Sequence, residues 1–279
     1  MVKIIDVDAL FDKYISDYVY SNIGKVKPEE IENRIPELYV EFGNTTLPEL
    51  DGKTPNDYYT QFDGEILIQC LKEHLDKGVS VSDFLCEAIT ENPKNELALV
   101  NALKEDNDEE FTLYLMNMLS DMSSTLCAQR YLEFILWDYS ETIRELATEN
   151  LASMAELVKE NVLAHYGEVE KDKKACLSDI LSNVKNDQRV FEILVNEFIA
   201  NQDNIPLYAN YLVKYGDEKA LPYLLTAIEN EKINYADFEE LRFAIEALGG
   251  EYNKVRDFSA DKTYKKIKGL KKGSNTKNK

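Results

Sequence analysis

The sequence is poor both in residues that break regular structure and in residues that do chemistry. Glycine occurs 11 times and proline 7 times in 279 residues. That excludes a turn-rich all-β protein, a collagen-like chain and low-complexity disorder. There are two histidines and four cysteines. Gly-x-Ser-x-Gly and His-Glu-x-x-His are both missing, so a serine-hydrolase elbow and a zinc-protease helix are unsupported. The cysteines, Cys70, Cys86, Cys127 and Cys176, contain no Cys-x-x-Cys pair, which excludes metal ribbons and thioredoxin-like redox motifs. Each lies in a helical apolar pattern and reads as a buried, reduced thiol. No window approaches the roughly 18 apolar residues of a membrane span. The start has no apolar stretch of signal-peptide length, and acids arrive at Asp6 and Asp8. A cytoplasmic chain without membrane contact is the expectation.

What the chain has in excess is acid. Asp and Glu number 52 against 32 Lys and Arg, a formal net charge of −20. Eight of the lysines fall in residues 262–279, which carry no acid. The remaining 24 basic residues face 52 acidic ones in residues 1–261, a net of −28. Such a body repels DNA and anionic membranes. The basic end, including Lys265, Lys266, Lys268, Lys271 and Lys272, reads as a solvated, disordered tail spanning 252–279. Its two functional readings are a weak nucleic-acid tether and an intramolecular strap over the acidic body.

Apolar residues recur at the three-and-four spacing of helices throughout. Val7, Leu10, Phe11, Tyr14, Ile15 and Tyr18 form one such face. Similar patterns cover 28–41, 55–76, 81–91, 95–105, 109–120, 125–137, 141–150, 152–165, 171–184, 188–199, 205–215, 218–229 and 236–248. The chain is therefore expected to be all-α. In the C-terminal half the pattern repeats. LAHYG (163–167), LVKYG (212–216) and IEALG (245–249) each end a helix in glycine, which supplies the left-handed conformation of a helix stop. Asp187 and Asp217 each open the next helix as capping side chains. Aligning them matches Val190 with Ala220, Phe191 with Leu221, Leu194 with Leu224 and Phe198 with Ile228.

The segment 216–251, with Asp217, Ala220, Pro222, Arg242, Leu248 and Gly249, resembles a HEAT-like repeat of the phycobilisome-lyase type. The preceding segment, 186–216, lacks the first-helix proline and has Ala209 where Arg242 stands in the last repeat. The resemblance implies an α-solenoid, an α-α superhelix of stacked antiparallel helix pairs, over 93–251. It implies no catalytic residues, because the family's shared positions are structural. Residues 1–92 lack the period and carry four of the seven prolines. They read as an atypical helical N-terminal cap, of the kind that covers the apolar end of a solenoid.

The remaining motifs have structural readings. DGKTP (51–55) lacks the first glycine of a phosphate loop, so Thr54 is expected to cap a helix with Pro55 in its first position and Asp57 in its first turn. Cys70 and His74 share a helix face but lack further ligands at metal spacing. His165 reads as a cation at a helix C-terminus. The acidic run 105–110 reads as a link with acids at the next helix start. No catalytic residue, metal or cofactor is expected. The chain reads as a non-catalytic scaffold that binds a basic protein or peptide on the concave face of its solenoid. Contacts are expected from Glu239, Glu240 and Glu246. Tyr211 and Tyr215, four apart on one face, read first as core or edge packing and, if that face lines the inner curve, as aromatic anchors. The alternatives are a nucleic-acid-associated factor acting only through the tail, and an enzyme resembling the phycobilin lyases.

Overall fold

The computed structural model describes residues 3–24, 27–105, 107–266 and 268. Among them are fifteen α-helices, a further helical stretch over 262–266 and four short 3-10 turns, with no β-strand; an isolated bridge pairs Leu47 with Lys53. The chain divides into two compact units, Met1–Phe134 with Asp138–Ala147, and Ile135–Trp137 with Thr148–Lys279.

The first unit contains α1 (Val7–Asn22), α2 (Pro28–Gly43), α3 (Pro55–Tyr58), α4 (Gly64–Asp76), α5 (Asp83–Thr90), α6 (Glu96–Lys104) and α7 (Glu109–Asp121). Most of α8 (Ala128–Leu136) and the first half of α9 (Glu141–Ser153) also belong to it. Helix α3 starts as its sequence dictates. The Asp57 amide donates to Thr54 Oγ1 at 3.2 Å, and Pro55 takes the first helical position, where a missing N–H costs nothing. Tyr58 and Tyr59 point into the core, with Tyr58 edge-on to Phe62 at 5.7 Å. Phe11, Tyr39, Phe42 and Phe84 form a second aromatic cluster, with centroids about 5 to 6 Å apart.

Two expectations need correction in this unit. The pattern over 55–76 is not one helix. After the 3-10 turn Tyr59–Gln61, Phe62 and Asp63 are extended, and α4 starts afresh at Gly64. The break is enforced by packing. Asn95 is buried and donates to the carbonyls of Ala88 and Ile89 at the end of α5. A Cβ on Gly64 would lie 2.6 Å from Asn95 Oδ1. The boundary expected at 92/93 also fails to mark the division between units. Helix α6 packs on α4 and α7, so residues on both sides of 92 share one core.

The second unit continues with α10 (Ala155–His165), α11 (Lys171–Ser182), α12 (Gln188–Ala200), α13 (Ile205–Tyr215), α14 (Leu221–Ile228) and α15 (Tyr235–Ala247). Sequence neighbours pair: α10 with α11, α12 with α13, α14 with α15. The second members stack in series, α11 on α13 and α13 on α15. This arrangement is compatible with an α-solenoid. The aligned positions Val190 and Ala220, Leu194 and Leu224, and Phe198 and Ile228 are all buried. Gly216 and Gly249 adopt the left-handed conformation, with φ of 81° and 82°. Gly167 does not, and α10 stops two residues before it, so its expected role as a left-handed stop is corrected.

Residues 252–266 do not form the expected free tail. Arg256 donates to the carbonyls of Ile228 at 2.6 Å and Asn230 at 2.9 Å, covering the end of α14. Its guanidinium stacks over Phe238 of α15 at 5.1 Å. Phe258 is buried against Phe238 and Tyr235. Lys254 adds an ion pair with Glu229 at 2.5 Å, so this docked stretch is held by arginine, aromatic and lysine side chains that precede the lysine run. Lys271 and Lys272 lie outside the described residues.

Replacing Gly64 with alanine should force Asn95 out of its place. The expected cost is about 1–3 kcal/mol, typical of overpacking. Urea denaturation checks it, and an unchanged midpoint would show that the α4–Asn95 contact is not tight.

Candidate binding groove

The structure removes the two tyrosines from the expected partner surface. Tyr211 and Tyr215 lie on α13 with only 4% and 5% of their surface exposed. Tyr211 donates to the Ala175 carbonyl of α11 at 3.1 Å. The Tyr215 hydroxyl donates to the Asp187 carbonyl at 2.9 Å and accepts from the Asp187 amide at 3.0 Å. Tyr211 joins α13 to α11 across the seam between helix pairs, and Tyr215 ties the end of α13 to the start of α12 within its own pair, where its hydroxyl gives the Asp187 amide a partner. Both rings are buried and do not face a partner.

Asp187 is the centre of this seam. Its carboxylate accepts from the Arg189 amide at 3.0 Å and caps α12. It also pairs with the Arg189 guanidinium at 2.7 Å and Lys159 at 3.4 Å. The hydrogen bond from Arg189 holds its carboxyl well below the usual carboxylate range. Arg189 in turn clasps both oxygens of Glu160, at 2.7 and 3.0 Å. Asp217 repeats the cap, accepting from the Lys219 amide at 2.9 Å.

The three glutamates separate into two groups. Arg242 lies between Glu239, at 2.8 Å, and Glu246, at 3.9 Å, so these two charges are already met on α15. Glu240 is exposed and lines a groove between α13 and α15. The groove has a volume of about 460 Å³. Pro206, Asn210 and Val213 line it from α13; Glu240, Phe243 and Ala244 line it from α15. The spacing i, i+4, i+7 on one helix and i, i+3, i+4 on the other makes each set a single stripe. Phe243 is 63% exposed at the edge of this groove. Ala209, small and buried, lies where the other repeat carries Arg242, and it leaves the groove open at this level. Phe243 was not singled out from the sequence. Its signal was available: two residues from both Leu241 and Ile245, it falls off the apolar stripe of Phe238, Leu241 and Ile245.

The remaining candidates are structural. Cys70 and His74 are both buried, with Sγ and Nδ1 3.6 Å apart. The ring nitrogens of His74 face the carbonyls of Cys70 at 2.8 Å and Ile5 at 3.2 Å. Burial pushes the thiols of Cys70 and Cys86 up to about 11, which disfavours the thiolate that a metal needs. Among the described residues no three such ligands converge. Asp108 caps α7 through the Phe111 amide at 2.9 Å, as expected of the acidic run, whose Asp106 lies outside the described residues. Lys265 and Lys266 are exposed, and Lys268 donates to the Tyr264 hydroxyl at 2.8 Å. No described helix is long and apolar enough to cross a membrane. Comparison with protein-family models, with curated proteins and with solved structures yields no match to this chain.

Two expected outcomes follow from the seam. Tyr215→Phe leaves the Asp187 amide without its partner, while the carbonyl keeps the Phe191 amide at 3.0 Å, and should cost about 1–3 kcal/mol in urea unfolding. A surface tyrosine would move stability by less than about 0.5 kcal/mol. Because the Asp187 carboxyl is depressed in the folded state, its stabilisation is present above its unfolded value of about 4 and is lost as pH falls through the folded value. Asp187→Asn should therefore melt below the wild type at pH 7, with the gap closing progressively as pH drops from about 4. A gap constant between pH 7 and pH 2 would assign the effect to shape instead of charge.

Proposed function

We propose that this chain is a non-catalytic protein-interaction module of HEAT-like α-solenoid type. It takes a basic segment of a partner protein along the groove between α13 and α15. The observation that carries this reading is the exposed Phe243 beside the exposed Glu240 on the floor and rim of that groove. An exposed aromatic side chain in a recess is the usual anchor of an interface, and an acid at its edge selects a cation. The net charge of −20 supports the same choice by steering positive partners toward the chain. Glu239 and Glu246, engaged by Arg242, contribute to the field but not to direct contact.

A photo-crosslinking residue at position 243 tests the reading in native lysate, with the fully exposed position 255 as the control. A partner captured at 243, missed at 255 and lost on Glu240→Lys is the expected result. With that partner in hand, Phe243→Ala should weaken binding about tenfold, the loss typical of a hot-spot side chain. Identical captures at 243 and 255 would contradict the proposal.

A further inference from the structure

The C-terminal lysine run begins beside the α13/α15 groove. Asp261 accepts from the Tyr235 amide at 3.3 Å, and the Tyr264 ring packs edge-on to the Tyr235 ring at 5.0 Å. Lys268, exposed and the last described residue, donates to the Tyr264 hydroxyl. These contacts bring the chain to the first residue of α15. Glu240, on the rim of the groove, stands five residues further along that helix, a rise of about 7.5 Å, and Phe243 stands about 12 Å along it. Residues 269–279 follow, and eleven residues span up to about 36 Å when extended, which reaches both.

Acid is concentrated at the start of α15. Burial raises the carboxyl of Asp237, and the charges of Asp261 and Glu240 raise it further. Arg242, the cation of this helix, is engaged by Glu239 and Glu246. A further cation beside Glu240 relieves the crowded carboxylates. Residues 262–279 supply eight lysines and no acid. Within 269–279 the large apolar residue is Leu270, between Lys268 and the pair Lys271 and Lys272. An aliphatic residue flanked by cations complements an exposed phenylalanine beside an exposed glutamate.

We infer that residues 269–279 of the same chain occupy the α13/α15 groove, Leu270 against Phe243 and Lys271 and Lys272 toward Glu240, and that a basic partner binds there by displacing them. The inference rests on the reading of that groove as a site for a basic segment. The occupant shares the chemistry of the expected partner and is joined to the site by a short link. Such a tether holds it at an effective concentration on the order of millimolar. A partner must therefore outcompete a resident segment, which restricts the groove to partners that bind it tightly.

Photo-crosslinking within the purified full chain tests it. Benzoylphenylalanine replaces Phe243 or, as the control, Leu157 of α10, which is equally exposed at 63%. The protein is irradiated at low micromolar concentration, and the monomer is digested by a protease that cuts at aspartate. Mass spectrometry follows the fragment 261–279. It should be joined through residues 269–279 to position 243 at least fivefold more than to position 157. Glu240→Lys, and Lys271→Glu with Lys272→Glu, should each lower the yield at 243 at least fivefold. Equal yields at 243 and 157, or a yield at 243 unchanged by either set of substitutions, overturn the inference. In lysate, Lys271→Glu with Lys272→Glu should raise capture of the partner at 243 at least threefold, and unchanged capture also overturns it. A partner captured at 243 with no crosslink to 269–279 removes this inference and leaves the groove reading standing. A crosslink to 269–279 with no partner captured removes the groove reading and leaves these residues as the occupant.

Discussion

The C-terminal unit depends on how the turn before α12 is satisfied. A link between helix pairs exposes backbone groups that the helices cannot pair, and packing a second pair on top removes water from them. At Asp187 a single tyrosine hydroxyl takes both the amide and the carbonyl, while the aspartate side chain caps the helix and gathers Arg189 and Lys159. Tyr215 ties the end of α13 to the start of α12 within one pair, and Lys159 of α10 reaches the same aspartate from the preceding pair, so the two pairs meet at this residue. Lys185 adds to the same joint, donating to the Tyr215 carbonyl at 3.1 Å.

The excess of acid is distributed by the same economy. Cations are few, and the described ones are concentrated where carboxylates cluster: Arg189 with Glu160 and Asp187, Arg242 with Glu239 and Glu246, Lys72 with Asp76 and Asp108. Most of these pairs are exposed and add little stability individually. Their effect is to sort the surface. Glu240 stands exposed at the edge of the recess between α13 and α15. The charged surface therefore has local features that total charge does not convey.

Helix type, the paired aspartate caps and the apolar register of the last repeats were legible in the sequence because they rest on local spacing and capping. Thr54, Pro55 and Asp108 were legible for the same reason. The break at Gly64 was not, because it is set by Asn95, thirty-one residues away. Tyr211 and Tyr215 were legible as aromatic residues at core spacing, but periodicity does not say which neighbour covers their face, and the anchor role falls with their burial. Phe243 was legible in principle, because it lies off the stripe of Phe238, Leu241 and Ile245; the groove beside it was not, because that depends on how α13 packs on α15. Arg256 and Phe258 were read as the approach to a lysine tail, since composition of 252–279 outweighed the two residues that dock it.

The central claim is that a partner is held on the second helices of the last two pairs. Hydrogen exchange of the full chain, alone and with the partner recovered by crosslinking at position 243, tests this most directly. The account predicts added protection concentrated in α13 and α15, over 205–215 and 235–247. Protection confined to other helices, with those two unchanged, would contradict it.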